Sequence, residues 1–161
     1  MAKTGEPDIR KLLRRIIPSV NDELRNYPCR ATLRDGAVIE RLGIIESPHD
    51  LELEVSVRDL ASLEESPFRI PAHLANKAYS AGETGMSYYA FALILDSGER
   101  LEYVIGAPLI DFPELPENVT KDNIVDLIPY RHSDRLPASY GTSEEYLAAG
   151  LARDTSESSV F

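Results

Sequence analysis

Tryptophan is absent from these 161 residues, cysteine occurs once and histidine three times. Cys29 has no second cysteine to pair with, so no intramolecular disulfide forms. A lone thiol in a globular domain reads as a small buried hydrophobe in a reducing compartment. His49, His73 and His132 lie on separate segments. With no HxxxH, CxxC or EF-hand loop, the spacing supports neither a metal centre nor a cofactor site, and none is expected. Gly82-Glu83-Thr84-Gly85 lacks the lysine of a phosphate-binding loop, and Glu83 opposes phosphate. No uncharged run approaches the ~18 residues of a spanning helix, and Met1 to Arg10 lacks the apolar core of a signal peptide. A soluble cytoplasmic protein without membrane contact is expected. On that expectation the Asn118-Val119-Thr120 glycosylation sequon is discounted.

The net charge of -10 is unevenly spread. Residues 1–41 carry nine Lys/Arg against six Asp/Glu, whereas residues 42–161 carry eight against twenty-one. An acidic body repels phosphates over a Debye length of about 8 Å, which argues against general nucleic-acid binding.

The strongest structural signal is Ser87 to Gly106, two apolar runs joined by Asp96-Ser97-Gly98-Glu99, which predicts a central β-hairpin. In its first run Tyr89, Phe91, Leu93 and Leu95 share one face, and Ala90, Ala92 and Ile94 keep the other apolar, so the strand is covered on both sides. A second hairpin is predicted around Asp35-Gly36, between Arg30–Arg34 and Ala37–Glu46, with a bulge or a close backbone approach at Gly43. Leu51, Leu53, Val55 and Val57 alternate with Glu52, Glu54, Ser56 and Arg58 in a further strand.

Helices are predicted over Asp8–Ile17, ended or bent by Pro18, and over Pro71–Tyr79 before Gly82. Ser19–Tyr27 reads as a second helical stretch up to Pro28, and Asp59–Glu65 as a helical turn. Ile124–Pro129 fits a helix or a strand, and its β-branched content favours strand. Thr142-Ser143-Glu144-Glu145 has the spacing of a capping box for a last helix. The fold class is therefore α+β, with a curved antiparallel sheet of five to six strands, a partly open SH3-like small barrel, and flanking N- and C-terminal helices. The organisation predicted is an N-terminal helical segment over 1–28, one domain over 29–152 and a disordered tail over 153–161.

No residue constellation dictates a reaction. His132-Ser133-Asp134 is contiguous in sequence, which does not supply the geometry of a catalytic triad. Tyr88, Tyr89 and Tyr103 read as core aromatics with their hydroxyls at the rim. The best local signal is the first helix. At 100° per residue Arg10, Lys11, Arg14 and Arg15 fall within a 140° arc opposite Ile9, Leu12, Leu13, Ile16 and Ile17. Two readings of that basic face stay open: a solvated surface pairing with the acidic body, or a site for an acidic protein partner or a second copy. The function class favoured is a non-catalytic interaction or assembly module. Two alternatives remain. One is an enzyme assembled from isolated groups such as Cys29, His49, Asp111 and His132; the other is an acidic protein that mimics nucleic acid.

Overall fold

The structure is a computed structural model describing residues 5–106 and 109–131. The chain divides into two compact units, residues 1–69 and 70–161. Among the described residues it is mostly antiparallel sheet with two helices, an α+β arrangement, and neither of its two sheets closes.

Unit 1 opens with α1 (Ile9–Leu13), followed by β1 (Ser19–Asn21), β2 (Leu24–Leu33), β3 (Val38–Glu46), β4 (Leu51–Glu52), a 3₁₀ turn (Val57–Asp59) and β5 (Leu60–Glu65). The long β2 is the spine. It pairs along its length with β3, and on its other side first with β1 and then with β5. Pro28 sits where β1 has ended and β5 has not begun, so its missing N–H removes no ladder bond on that side. Its carbonyl is used, accepting from Ser66 N at 3.0 Å. At the predicted Asp35-Gly36 turn Gly36 takes φ +89°, a conformation that favours glycine.

Three expectations for this unit are corrected. Ser19–Tyr27 is not helical: it is the β1–β2 hairpin, turned at Asp22 with φ +55°, which a short polar side chain tolerates. Asp59–Glu65 is strand. Leu60 and Leu63 are both buried at helical spacing because β5 carries a bulge: Leu60 pairs with Leu33 but Ser62 with Thr32, leaving Ala61 as the extra residue. The bulge in β3 lies at Glu40–Arg41, between the Ile39↔Ala31 and Leu42↔Cys29 pairs, rather than at Gly43. The 51–58 alternation does hold in burial, although ladder pairing ends at Glu52.

Unit 2 comprises α2 (Ala72–Ala81), β6 (Tyr89–Leu95), β7 (Arg100–Ile105), a 3₁₀ turn (Leu109–Asp111), a second (Lys121–Asn123) and β8 (Ile124–Pro129). The sheet order is β7-β6-β8, so the predicted β6–β7 hairpin supplies the central strand and one edge. Gly98, at φ +86°, closes the hairpin loop by donating to the Leu95 carbonyl at 2.9 Å. Phe91, Leu93 and Leu95 join Leu74, Ala75, Ala78 and Tyr79 of α2, together with Ile124 and Leu127, in one core. Each large side chain buried there contributes about 1.5–3 kcal/mol. In β8 the bulge recurs: Ile124 pairs with Leu95 and Asp126 with Ile94, so buried Ile124 and Leu127 again stand three apart.

The single sheet of five to six strands is thus replaced by sheets of five and three. The first helix is five residues long instead of ten. The predicted C-terminal helix and the tail over 153–161 lie outside the described residues. No helix among the described residues is long and apolar enough to cross a membrane.

Candidate functional site

The basic face starts from a fixed helix end. Asp8 caps α1, its Oδ1 accepting from Arg10 N at 3.2 Å and Lys11 N at 3.4 Å, the latter amide also donating to the Asp8 carbonyl at 3.1 Å. Leu13 and Ile16 then bury against Tyr27, Cys29, Ile44, Leu60 and Leu63, while Ile9 and Leu12 are half-buried at the margin. That leaves Arg10, Lys11, Arg14 and Arg15 exposed, all on the solvent side of the segment. Ile17 departs from the expected apolar arc. The helix ends at Leu13, and Ile17 stands 66% exposed with its carbonyl accepting from Arg69.

The four cations are not equivalent. Arg10 Nη1 lies 2.8 Å from Glu46 Oε2 at the end of β3. The same carboxylate accepts from the Tyr27 hydroxyl at 3.4 Å and has Arg25 at 4.0 Å. Arg10 therefore anchors α1 to the sheet. The side chains of Lys11, Arg14 and Arg15 make no ion pair or hydrogen bond among the described residues. Arg10 thus pairs within the unit, and the other three present charge to solvent.

Of the residues named for an enzyme, Cys29, His49 and Asp111 are described, each in its own surroundings. Cys29 is fully buried, its Sγ donates to the Tyr27 carbonyl at 3.1 Å, and burial pushes its pKa up to about 12 despite the opposing Arg69 charge. Such a thiol carries almost no thiolate at neutral pH. His49 stands exposed in the turn after β3. Asp111 belongs to unit 2, where it is buried and its Oδ2 accepts from the Tyr79 hydroxyl at 2.7 Å. His132, with Ser133 and Asp134, lies outside the described residues. No group of three or more His, Cys, Asp or Glu suited to a metal ion occurs among the described residues.

Sequence reasoning missed a polar cluster on unit 2. Arg100 Nε donates to Glu102 Oε1 at 2.6 Å, and Arg100 Nη2 donates to the Tyr130 hydroxyl. That hydroxyl donates to Glu102 Oε2, and the guanidinium lies 5.5 Å from the tyrosine ring centroid. These bonds raise the Arg100 pKa, the Tyr130 hydroxyl being the largest influence. Beside the cluster an open groove of about 390 Å³ runs between Arg100–Tyr103 and Glu114–Pro116. Its floor is tied down by Tyr103, whose hydroxyl donates to the Glu114 carbonyl at 2.7 Å and whose pKa burial raises. The i,i+2 spacing of Arg100 and Glu102 was legible as a shared strand face; the partner 28 residues beyond Glu102 was not. The cluster is internally neutralised, Arg100 against Glu102, and leaves no reactive group unpaired.

No protein-family model matches the chain, and neither a curated protein nor a solved structure is detectably similar to it.

Proposed function

We propose that this protein is a non-catalytic interaction or assembly module, and that the face made by Arg10, Lys11, Arg14 and Arg15 is where it meets an acidic protein surface. One observation carries the reading: three cations project from a segment whose position is set by buried Leu13 and Ile16 and by the Arg10–Glu46 pair. Charge held on a fixed element loses little conformational freedom on binding, and it steers an oppositely charged partner during encounter. Support for a catalytic alternative is thin, since Cys29, the strongest nucleophile among the candidates, is sealed and protonated. A nucleic-acid mimic has less support still, because such a surface needs carboxylates without cations, and Lys11, Arg14 and Arg15 are exposed on unit 1. The proposal includes a reducing, cytoplasmic setting suited to the lone thiol. It also includes the description of unit 1 as a partly open SH3-like barrel, for which the bulges in β3 and β5 and the return of β5 to β2 speak.

Titration of the full chain with a fluorescent oligoglutamate peptide, used as a generic acidic surface, tests the reading. Binding should weaken as salt rises, because exposed charges are screened over about 10 Å at 0.1 M. It should be lost in Lys11→Glu/Arg14→Glu/Arg15→Glu with the thermal melt unchanged. Equal binding by that folded variant removes this face as the interaction site.

A further inference from the structure

We infer that a second copy of this chain pairs with the free edge of β7, antiparallel and about a two-fold axis at Leu101, so that Arg100 of each copy lies opposite Glu102 of the other. Among the described strands β7 pairs with β6 alone. Leu95 N donates to the Glu99 carbonyl at 2.9 Å, and hydrogen-bonded and non-hydrogen-bonded pairs alternate along an antiparallel ladder. Leu101 and Tyr103 therefore bond to β6, and the main-chain N–H and C=O of Arg100 and Glu102 point away from it. Those outward groups make no hydrogen bond among the described residues. Arg100 is exposed and Leu101 and Glu102 are half-buried, so the reachable edge is centred on Leu101, and the open groove beside Arg100–Tyr103 runs along it. The opposite edge of the sheet differs. Tyr130 N donates to the Ala90 carbonyl at 2.9 Å, so by the same alternation Pro129 of β8 stands outward, where it offers no N–H to a further strand.

Charge selects the register. Arg100 and Glu102 share one face of β7, their side chains bonded at 2.6 Å, and Leu101 and Tyr103 share the other. The outward groups of two copies can meet with Arg100 opposite Arg100, with Glu102 opposite Glu102, or with Arg100 opposite Glu102. The first two set like charges against each other, which destabilises a cross-strand pair. The third puts the axis at Leu101, forms the Arg100–Glu102 pair twice and joins each outward carbonyl to the N–H facing it, the self-complementarity that an isologous contact requires. A cation on an edge strand ordinarily repels a second edge. Here Glu102 neutralises Arg100, whose guanidinium uses two of its five N–H donors on Glu102 and Tyr130 and keeps the rest for the second copy. On the other face Leu101 meets its own counterpart across the axis. The Glu114–Pro116 segment is held on that face by the Tyr103 hydroxyl at 2.7 Å and takes none of the outward hydrogen bonds.

Sedimentation velocity of the full chain across a concentration series reads the pairing directly, and a dimer is expected. Arg100→Glu and Glu102→Arg should each raise the dissociation constant at least about tenfold, because either change sets like charges opposite across the axis. Mixed in equal amounts, the two variants should form a heterodimer, both of whose cross-strand pairs are again of opposite charge. Cross-linking tests the register without altering charge. Leu101→Cys in a Cys29→Ala background should give a disulfide-linked dimer on mild oxidation, since a non-hydrogen-bonded antiparallel pair holds its Cα atoms about 4.5 Å apart, within disulfide reach. Glu99→Cys in the same background should not, because Glu99 faces Tyr103 of the second copy and lies roughly 13 Å along the strand from its own counterpart. If a charge variant unfolds, the cysteine pair carries the test. A wild-type monomer throughout the series, a folded charge variant that dimerises as tightly as wild type, a mixture that stays monomeric, or Glu99→Cys cross-linking as readily as Leu101→Cys overturns the inference. The edge lies in unit 2 and the basic face in unit 1, so the two readings fail separately. A monomer that still binds oligoglutamate overturns the edge pairing alone, and a dimer that does not bind it overturns the basic-face reading alone.

Discussion

Arg69 Nη2 donates to the Ser19 hydroxyl at 3.0 Å where neither side chain meets solvent. The same guanidinium donates through Nη1 to the Ile17 carbonyl and to Glu65 Oε1 at 3.1 Å. One side chain, 1% exposed, thus fastens the α1–β1 connection to the end of β5. A buried guanidinium persists only when its donors are matched, and its removal leaves the acceptors without their charge-assisted partner.

Replacing Arg69 with Met should therefore cost about 3–5 kcal/mol of stability, the range for breaking a buried ion pair from one side. Urea unfolding midpoints at constant m-value measure it. A loss under about 1 kcal/mol would mean that water or a neighbour takes over the donor role.

Phe91 makes the corresponding test of unit 2. It is fully buried in β6, with its ring stacked on Tyr103 at a centroid distance of 5.6 Å. Phe91→Ala should cost about 3–5 kcal/mol through lost burial and the cavity left behind. A shift below about 1 kcal/mol in the unfolding free energy would place Phe91 outside the core.

The hairpins around Gly36 and Gly98 were legible because turn chemistry is local: the residues that need positive φ sit between the apolar runs they join. The α2 helix was legible for the same reason. Bulged strands were not. Ala61 and Val125 each insert a residue, so Leu60 with Leu63 and Ile124 with Leu127 acquire the three-residue spacing of a helix. In β8 the β-branched residues outweighed that spacing, whereas Leu-rich β5 offered nothing to oppose it. The basic face was legible as a periodic pattern, but the anchoring of Arg10 to Glu46 depends on a contact 36 residues away. The length of α1 was not legible either, since Leu13 and Ile16 face the core whether the helix continues past Leu13 or ends there.

Gly85 is constrained by a neighbouring ring. A Cβ there would lie 2.3 Å from Cε1, Cζ and Oη of Tyr88, which packs half-buried against the core of unit 2. Gly85→Ala must swing that ring away and should cost about 1–3 kcal/mol, the usual penalty for overpacking. A double-mutant cycle decides whether the ring is responsible. In a Tyr88→Ala background the penalty should largely vanish, and an undiminished penalty would assign it to the backbone instead.

Cys29 supplies a prediction in pH. Burial pushes the folded thiol from its ordinary 9.0 up to about 12, and the Arg69 charge offsets this only in part. The unfolded thiol ionises near 9, so the folded state binds the extra proton between about 9 and 12. Stability from the protonated thiol is fully present below about pH 9 and is lost as pH rises toward 12, by at most about 1.4 kcal/mol per unit. Tyr103, also raised by burial, acts in the same direction. The test is consequently a comparison of wild type with Cys29→Ala, which retains Tyr103. The variant should lose stability less steeply above pH 9, and the native thiol should resist iodoacetamide at pH 8 until the chain is unfolded. Parallel stability curves for the two proteins, or alkylation of the native chain as fast as of the unfolded one, would show that Cys29 is not the sealed core residue described above.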